Sequence, residues 1–307
     1  MHHSRDVLML HRIRDDQDYQ MRDFSNDHRW LSLNTATVRK QADFIGIVEA
    51  CVKSGIRAVS PWRDQVAHVG LDRAVKAVKE AGLALSGYCR GGMFTADDAH
   101  RQEARDDNRR AVDEAKALGA PCLVLVVGGL PQYSRPGSAG SKNIGAAQRQ
   151  VEDGIAELLD YARTADMPLA LEPLHPMYAA DRACVNTMRQ ALDICERLDP
   201  GNSGMMGLAV DTYHVWWDFE VLSQIKRAGK KRLLAFHVCD WLVPTKDLLL
   251  DRGMMGDGII DIPHLRRAVE AEGFDGYVEV EILSNDWWSR PLGETVDTVI
   301  ARFKTAV

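Results

Sequence analysis

Short runs of Val, Leu, Ile and Ala alternate along this chain with longer stretches in which apolar residues recur every three to four positions. The short runs read as strands: WLSLN (30–34), IRAVS (56–60), LALSGYC (83–89), CLVLVV (122–127), PLALE (168–172), MGLAV (206–210), LLAFHV (233–238) and YVEVEI (277–282). The longer stretches predict helices over 38–53, 71–81, 98–118, 144–165, 185–198, 219–229, 262–272 and 293–305. Turn residues such as Ser54-Gly55 close them. Strands this uniformly apolar, each followed by a helix, belong to a parallel sheet covered on its outer face. Eight such units in about 280 residues predict a single-domain α/β protein, a closed (β/α)8 TIM barrel over residues 29–307. Residues 1–28 are charge-rich without a period and are expected to be an N-terminal arm over the barrel bottom or a neighbouring subunit.

Four of the last strands end on a good metal ligand, and this changes the picture from fold to chemistry. They are Glu172 in PLALEPLHP, Asp211 in GLAVDTYH, His237 in LLAFHVCD and Glu281 in YVEVEIL. A carboxylate inside an apolar strand is costly to desolvate unless a positive group meets it. In a (β/α)8 barrel the chemistry sits at the C-terminal strand ends, so consecutive staves five to eight carry these groups around one arc of the rim. Alternation puts Ala170, Ala209, Ala235 and Glu279 one layer beneath them, facing inward. Glu279 then needs a partner, for which Arg57 is the candidate, or is itself the ligand in place of Glu281. Three carboxylates and an imidazole suit Mn²⁺ or Mg²⁺, with Co²⁺ and Zn²⁺ as alternatives.

Around that set, His175 and His214 follow two of the ligands closely, and Asp240 follows His237 by three with the expectation that it orients the ring. Arg252 and Asp257 lie in the glycine-rich DRGMMGDG, Arg90 in CRGGMF, and Trp62 and Arg63 in PWRD. His175, His214, Arg90, Trp62, Arg252 and Asp257 are the expected substrate contacts, with Trp216, Trp217 and Trp241 as further aromatic surfaces.

Composition narrows the partners. Of 307 residues, 38 are Lys or Arg and 44 Asp or Glu, a formal charge of −6 that gives no general reason to bind nucleic acid or an anionic membrane. The basic run IKRAGKKR (225–232) reads as a solvated helix end. No apolar run reaches the roughly 18 residues of a membrane span, and the N-terminus lacks a signal-peptide core, so a cytoplasmic location is expected. The six cysteines are scattered with no CxxC pair, and buried reduced thiols are expected.

The series LALEPLHP, AVDTYHVWWD, AFHVCDW, GDGIIDIP and GFDGYVEVEI resembles the xylose-isomerase-like TIM-barrel superfamily of sugar isomerases and epimerases, which includes inosose dehydratases and, in the endonuclease-IV type, apurinic endonucleases. The resemblance implies a divalent metal, often manganese, on Glu172, Asp211, His237 and Glu281, with His214 touching substrate. It also implies a small sugar or polyol substrate and proton transfer by Glu172 and Glu281 through a metal-stabilised enediolate. The same intermediate eliminates if a leaving group lies beside it, so a lyase or dehydratase acting on an inosose or a 3-keto-glycoside is the alternative, with His175 or His214 as acid. A phosphodiesterase-type nuclease or a non-catalytic barrel ranks behind both. Ketose 3-epimerases carry a Glu and an Arg where this chain has Tyr178 and Val243, so their substrate does not transfer. The arm and the long loops 128–142 and 240–261 suggest a homodimer or tetramer.

Overall fold

The computed structural model describes residues 21–307; positions 1–20 of the expected arm lie outside them. The strands are β1 (Leu31–Asn34), β2 (Ala58–Ser60), β3 (Ala84–Leu85), β4 (Tyr88–Gly92), β5 (Leu123–Val126), β6 (Leu169–Leu171), β7 (Met206–Asp211), β8 (Leu233–Val238), β9 (Asp240–Trp241), β10 (Arg252–Gly253) and β11 (Val278–Val280). Nine of them form one parallel sheet in the order β3-β2-β1-β11-β8-β7-β6-β5-β4. The two ends of that series, β3 and β4, are consecutive halves of one stave, so the sheet curls back on itself as an eight-staved barrel. Cys89 N donates to Pro61 O at 3.0 Å and helps close the seam. β9 and β10 form a separate antiparallel pair within the long loop after the seventh stave.

The expected third strand, 83–89, is thus broken at Ser86-Gly87 and extended to Gly92. Glycine permits the extension: at Gly91 a Cβ would lie 2.9 Å from both Leu123 and Leu125, and at Gly92, with φ 104°, it would meet Val126 O at 2.1 Å. A register shift between Cys89 and Gly91 marks the irregularity.

Helices cover the outer face. Those over Leu71–Ala81 and Ile144–Ala165 match their expected spans, and the others differ mostly at their ends. The first helix begins at Phe44, not near Val38, because the Asp43 side chain accepts from Gly46 N at 2.9 Å and caps it there. Thr187 and Gln190 form a capping box that sets the start of Met188–Leu198. Between the second strand and the helix at Leu71 lies a further helix that was not expected, Arg63–Val69, with Val66 and Val69 on its buried side.

Leucines and valines of the staves face outward into the helix layer, among them Leu33, Leu125, Leu171, Leu208 and Val280. The barrel interior is a smaller apolar cluster of Cys122, Val124, Ala170, Ala209 and Ala235, so the three alanines expected beneath the ligands do share the inner face. All six cysteines are buried and unbonded. At the barrel bottom, Phe24 stacks on Phe303 with ring centroids 4.7 Å apart, and Arg22 Nε donates to Glu270 at 2.8 Å. In the basic run, Arg232 is buried, not solvated, and donates to the carbonyls of Asp199 and Met206. No helix among the described residues is long and apolar enough to cross a membrane.

Candidate functional site

Parallel pairing brings the last staves into a register that sets Asp211 beside His237, and His237 beside Glu279. Glu172 follows β6 directly, and Glu281 follows β11, its N–H donating to Val238 O at 3.1 Å. One ligand atom from each of Glu172, Asp211, His237 and Glu281 can be chosen so that all four lie within 4.8 Å of one another, and all four residues are buried. Atoms so spaced could hold a single ion.

Each of these side chains is held from behind. Asp211 accepts from Tyr213 N at 2.8 Å, capping the one-turn helix Thr212–Val215 that fixes its carboxylate. Glu281 Oε1 accepts from Asn34 Nδ2 at 3.0 Å and from Trp62 Nε1 at 3.2 Å. The His237 Nδ1 stands 3.2 Å from Glu172 Oε1, and its Nε2 is buried with no hydrogen-bond partner, 3.5 Å from Glu279 Oε1. Glu279 accepts from Asn34 Nδ2 at 2.6 Å and Ser86 Oγ at 2.7 Å, and Ser86 is joined to Ser32. These inner-face donors take the part expected of Arg57, which is exposed just before β2. Glu279 is therefore held by Asn34 and Ser86, with the His237 ring beside it, one layer below Glu281.

Arg252 is the cation of the cluster. Its Nη1 donates to Asp211 Oδ2 and to Glu281 Oε2, each at 2.9 Å, while the guanidinium lies 4.6 Å from the Tyr213 ring centroid. Its Nη2 donates to His214 Nε2 at 3.2 Å. The backbone N–H of His175 donates to the same ring at Nδ1, 3.3 Å away. An arginine can only donate, and so can a backbone N–H, so the His214 ring meets a donor at each of its nitrogens.

The electrostatics follow from burial. Loss of water pushes Asp211 up to about 7, against the pull of Arg252, and pushes Glu172 up as well. His237 loses hydration too, but Glu279, Glu172 and Glu281 around it more than offset that and lift it to about 10. His214 goes the other way, driven well down by burial and then by Arg252. Burial also lowers His175.

The remaining expected residues divide. His175 lies at the rim with its ring 5.0 Å from Trp241 and 5.5 Å from Trp217, and Trp241 stacks on Tyr213 at 4.7 Å. Arg90 lines a cleft with Trp62. Asp257 is not brought to the cluster: it is exposed and accepts from Arg302 on the last helix at 2.6 Å. Asp240 does not orient His237. Its carboxylate accepts from the backbone N–H groups of Trp241, Gly256, Gly258 and Ile260 at 2.9 to 3.0 Å, and so ties both ends of the 240–261 loop together. Arg63 is taken up by Glu114 and Asp107. Asn34, Ser86 and Tyr213 were not expected. None of the three carried a signal, Asn34 standing in a first strand that already holds Ser32.

Comparison with known proteins agrees with this architecture. SMc04130 from Sinorhizobium meliloti 1021, a protein of known crystal structure, is 58% identical with a TM-score of 0.86, covering 91% of this chain and 99% of that one. The IolI protein, whose crystal structure carries a zinc atom, is 20% identical with a TM-score of 0.72, covering 90% of this chain and 99% of that one, a likeness of fold. The inosose isomerase of Bacillus velezensis is 28% identical over 151 residues, which is 47% of this chain and 50% of that one, so the match spans about half the length of that relative. The family described as xylose isomerase-like TIM barrel matches residues 45–304, and the chain belongs to that family.

Proposed function

We propose that this protein is a divalent-metal-dependent sugar isomerase or epimerase. The observation that carries the reading is the convergence of Glu172, Asp211, His237 and Glu281 within 4.8 Å at the C-terminal rim of the barrel. The unpartnered, buried Nε2 of His237 among carboxylates fits a bound cation, as does a hard donor set with one arginine against it. Manganese is preferred, ahead of magnesium, cobalt and zinc. The zinc of the IolI structure and the inosose isomerase name of the Bacillus relative support the same class.

When bound, the cation supplies Lewis-acid stabilisation of negative charge on a substrate carbonyl and its neighbouring hydroxyl. The chain supplies the proton handling. Glu172 and Glu281 remove a proton from the carbon beside the carbonyl and return it, on the same carbon for epimerisation or the next for a carbonyl shift. Asn34, Trp62 and Arg252 fix the Glu281 carboxylate, and Arg252 keeps His214 neutral so that it orients a hydroxyl. His175, Trp62 and Trp241 offer apolar faces to a sugar ring. The elimination reading asks His175 or His214 to protonate a leaving oxygen. Both are held below the ordinary histidine range, which favours the isomerase.

The test is incubation of metal-loaded protein with ketoses, inososes and 3-keto-glycosides in D₂O. Deuterium at the carbon beside the carbonyl without loss of water or aglycone is the expected result, and elimination products would refute it. Glu172→Gln and His237→Ala are expected to lose metal; full metal content in both would remove the basis of the reading.

A further inference from the structure

Beside the metal cluster an open cleft of about 500 Å³ runs along the second, third and fourth staves, with Trp62, Cys89, Arg90, Met93, Ser134 and Arg135 in its wall. Trp62 joins the two regions, because its Nε1 donates to Glu281. The acids of the cleft are already engaged. Glu114 accepts from Arg63 and Tyr88, Asp107 pairs with Arg63 and Arg110, and Asp64 pairs with Arg39.

Two arginines are left over. Arg90 is half-buried and has no hydrogen bond or ion pair among the described residues, and the nearby positive charge of Arg182 acts against it. Arg135 has its Nε and Nη2 buried without a partner, and only its Nη1 reaches a carboxylate, Glu103, at 3.4 Å. Arg182 has a buried, unbonded Nε of its own, with Asp181 3.9 Å away as its ion-pair partner. A buried guanidinium N–H without an acceptor is costly, and planar forks match the oxygens of a carboxylate or phosphate. Arg90 and Arg135, which line one cleft from separate loops, ask for an oxyanion.

We propose that Arg90 and Arg135 form an anion subsite next to the metal cluster, and that the substrate is a sugar carrying a carboxylate or phosphate group. The inference rests on the isomerase reading only in taking the anion to be carried by a sugar. Arg182 adds to the positive field. The neutral hydroxyls of the ring lie toward Trp62, His175 and His214, and the charged end lies in the cleft.

The experiment measures binding of D-fructose, D-fructuronate and D-fructose 6-phosphate by calorimetry, with and without Mn²⁺. Either anion is expected to bind at least roughly tenfold more tightly than D-fructose, and the tighter of the two identifies the group. In the Arg90→Met/Arg135→Met double variant that preference, read as the ratio of anion to D-fructose affinity, is expected to fall to about twofold or less, with manganese content unchanged. Arg135→Lys, which keeps the charge and loses the fork, retains part of it. The proposal is overturned if neither anion outbinds D-fructose, or if the preference survives in the double variant. Turnover is not read, so the two proposals fail separately. Anion preference in a protein that exchanges no deuterium removes the isomerase reading alone, and exchange without anion preference removes the subsite alone.

Discussion

Loading a divalent cation onto the four-ligand cluster must expel protons, and their number can be worked out. Asp211, raised to about 7, and His237, raised to about 10, both have to be deprotonated to ligate. At pH 6 Asp211 holds about 0.9 of a proton and His237 about one, so roughly two are released; at pH 8 the Asp211 share falls to about 0.1 and roughly one is released. Integrated between those pH values, metal affinity should rise about 1000-fold, or about 4 kcal/mol. Glu172, also raised, adds to the effect at the acid end. The sign is fixed by the direction of the shifts. In the metal-free protein both groups bind protons more tightly than in the unfolded chain, so their contribution to stability is lost as pH rises, through about 7 for Asp211 and through about 10 for His237. The metal-loaded protein, having released both protons, lacks that decline. Titrating Mn²⁺ by calorimetry at pH 6 and pH 8, in buffers of different ionisation enthalpy, counts the protons directly. A count near zero at pH 6, or an affinity that changes less than tenfold across the range, would refute the electrostatic picture of the cluster.

Three further outcomes follow from the same contacts. Asn34→Ala removes a donor shared by Glu279 and Glu281 and should cost about 1–3 kcal/mol in chemical denaturation, an unchanged midpoint arguing against the bonds. Arg252→Met leaves Asp211 and Glu281 without their buried cation and should destabilise the metal-free protein by about 3–5 kcal/mol, with saturating Mn²⁺ recovering part of the loss of Tm. Asp240→Ala frees four backbone N–H groups and should open the 240–261 loop to limited proteolysis while metal content is retained; unchanged cleavage would show that the loop does not depend on that carboxylate.

The barrel was legible in the sequence because parallel staves buried on both faces leave apolar runs that surface elements do not. Helix starts were less so, since caps such as Asp43 and Thr187 compete with hydrophobic periodicity and prevail over it. The four-residue cluster could be read because each member interrupts an apolar strand at its end. Its supports could not. Asn34 and Ser86 are ordinary polar residues whose role appears only when the first and third staves are set beside the eighth. Asp240 and Asp257 follow the opposite course: the spacing of one from His237 and the glycine-rich setting of the other suggested chemistry, and the loop path turns the first into an internal tie and the second toward Arg302. Arg252 was expected at the rim, but not its position between two carboxylates, to which the β9–β10 pairing brings it.

The Asp240 knot also separates what can drift from what is held. It joins the root of the 240–261 loop to its returning limb, and the β9–β10 pair fixes Arg252 on the returning side. The outer part, with Val243 and Leu248 exposed at its surface, lies between these anchors. Side-chain changes at those two exposed positions leave the arginine in register with Asp211 and Glu281, while the hydroxyls of Tyr178 and Tyr213 hold the backbone at Leu248 O. Descendants of this chain can therefore change what the mouth of the barrel admits without rebuilding the centre below it.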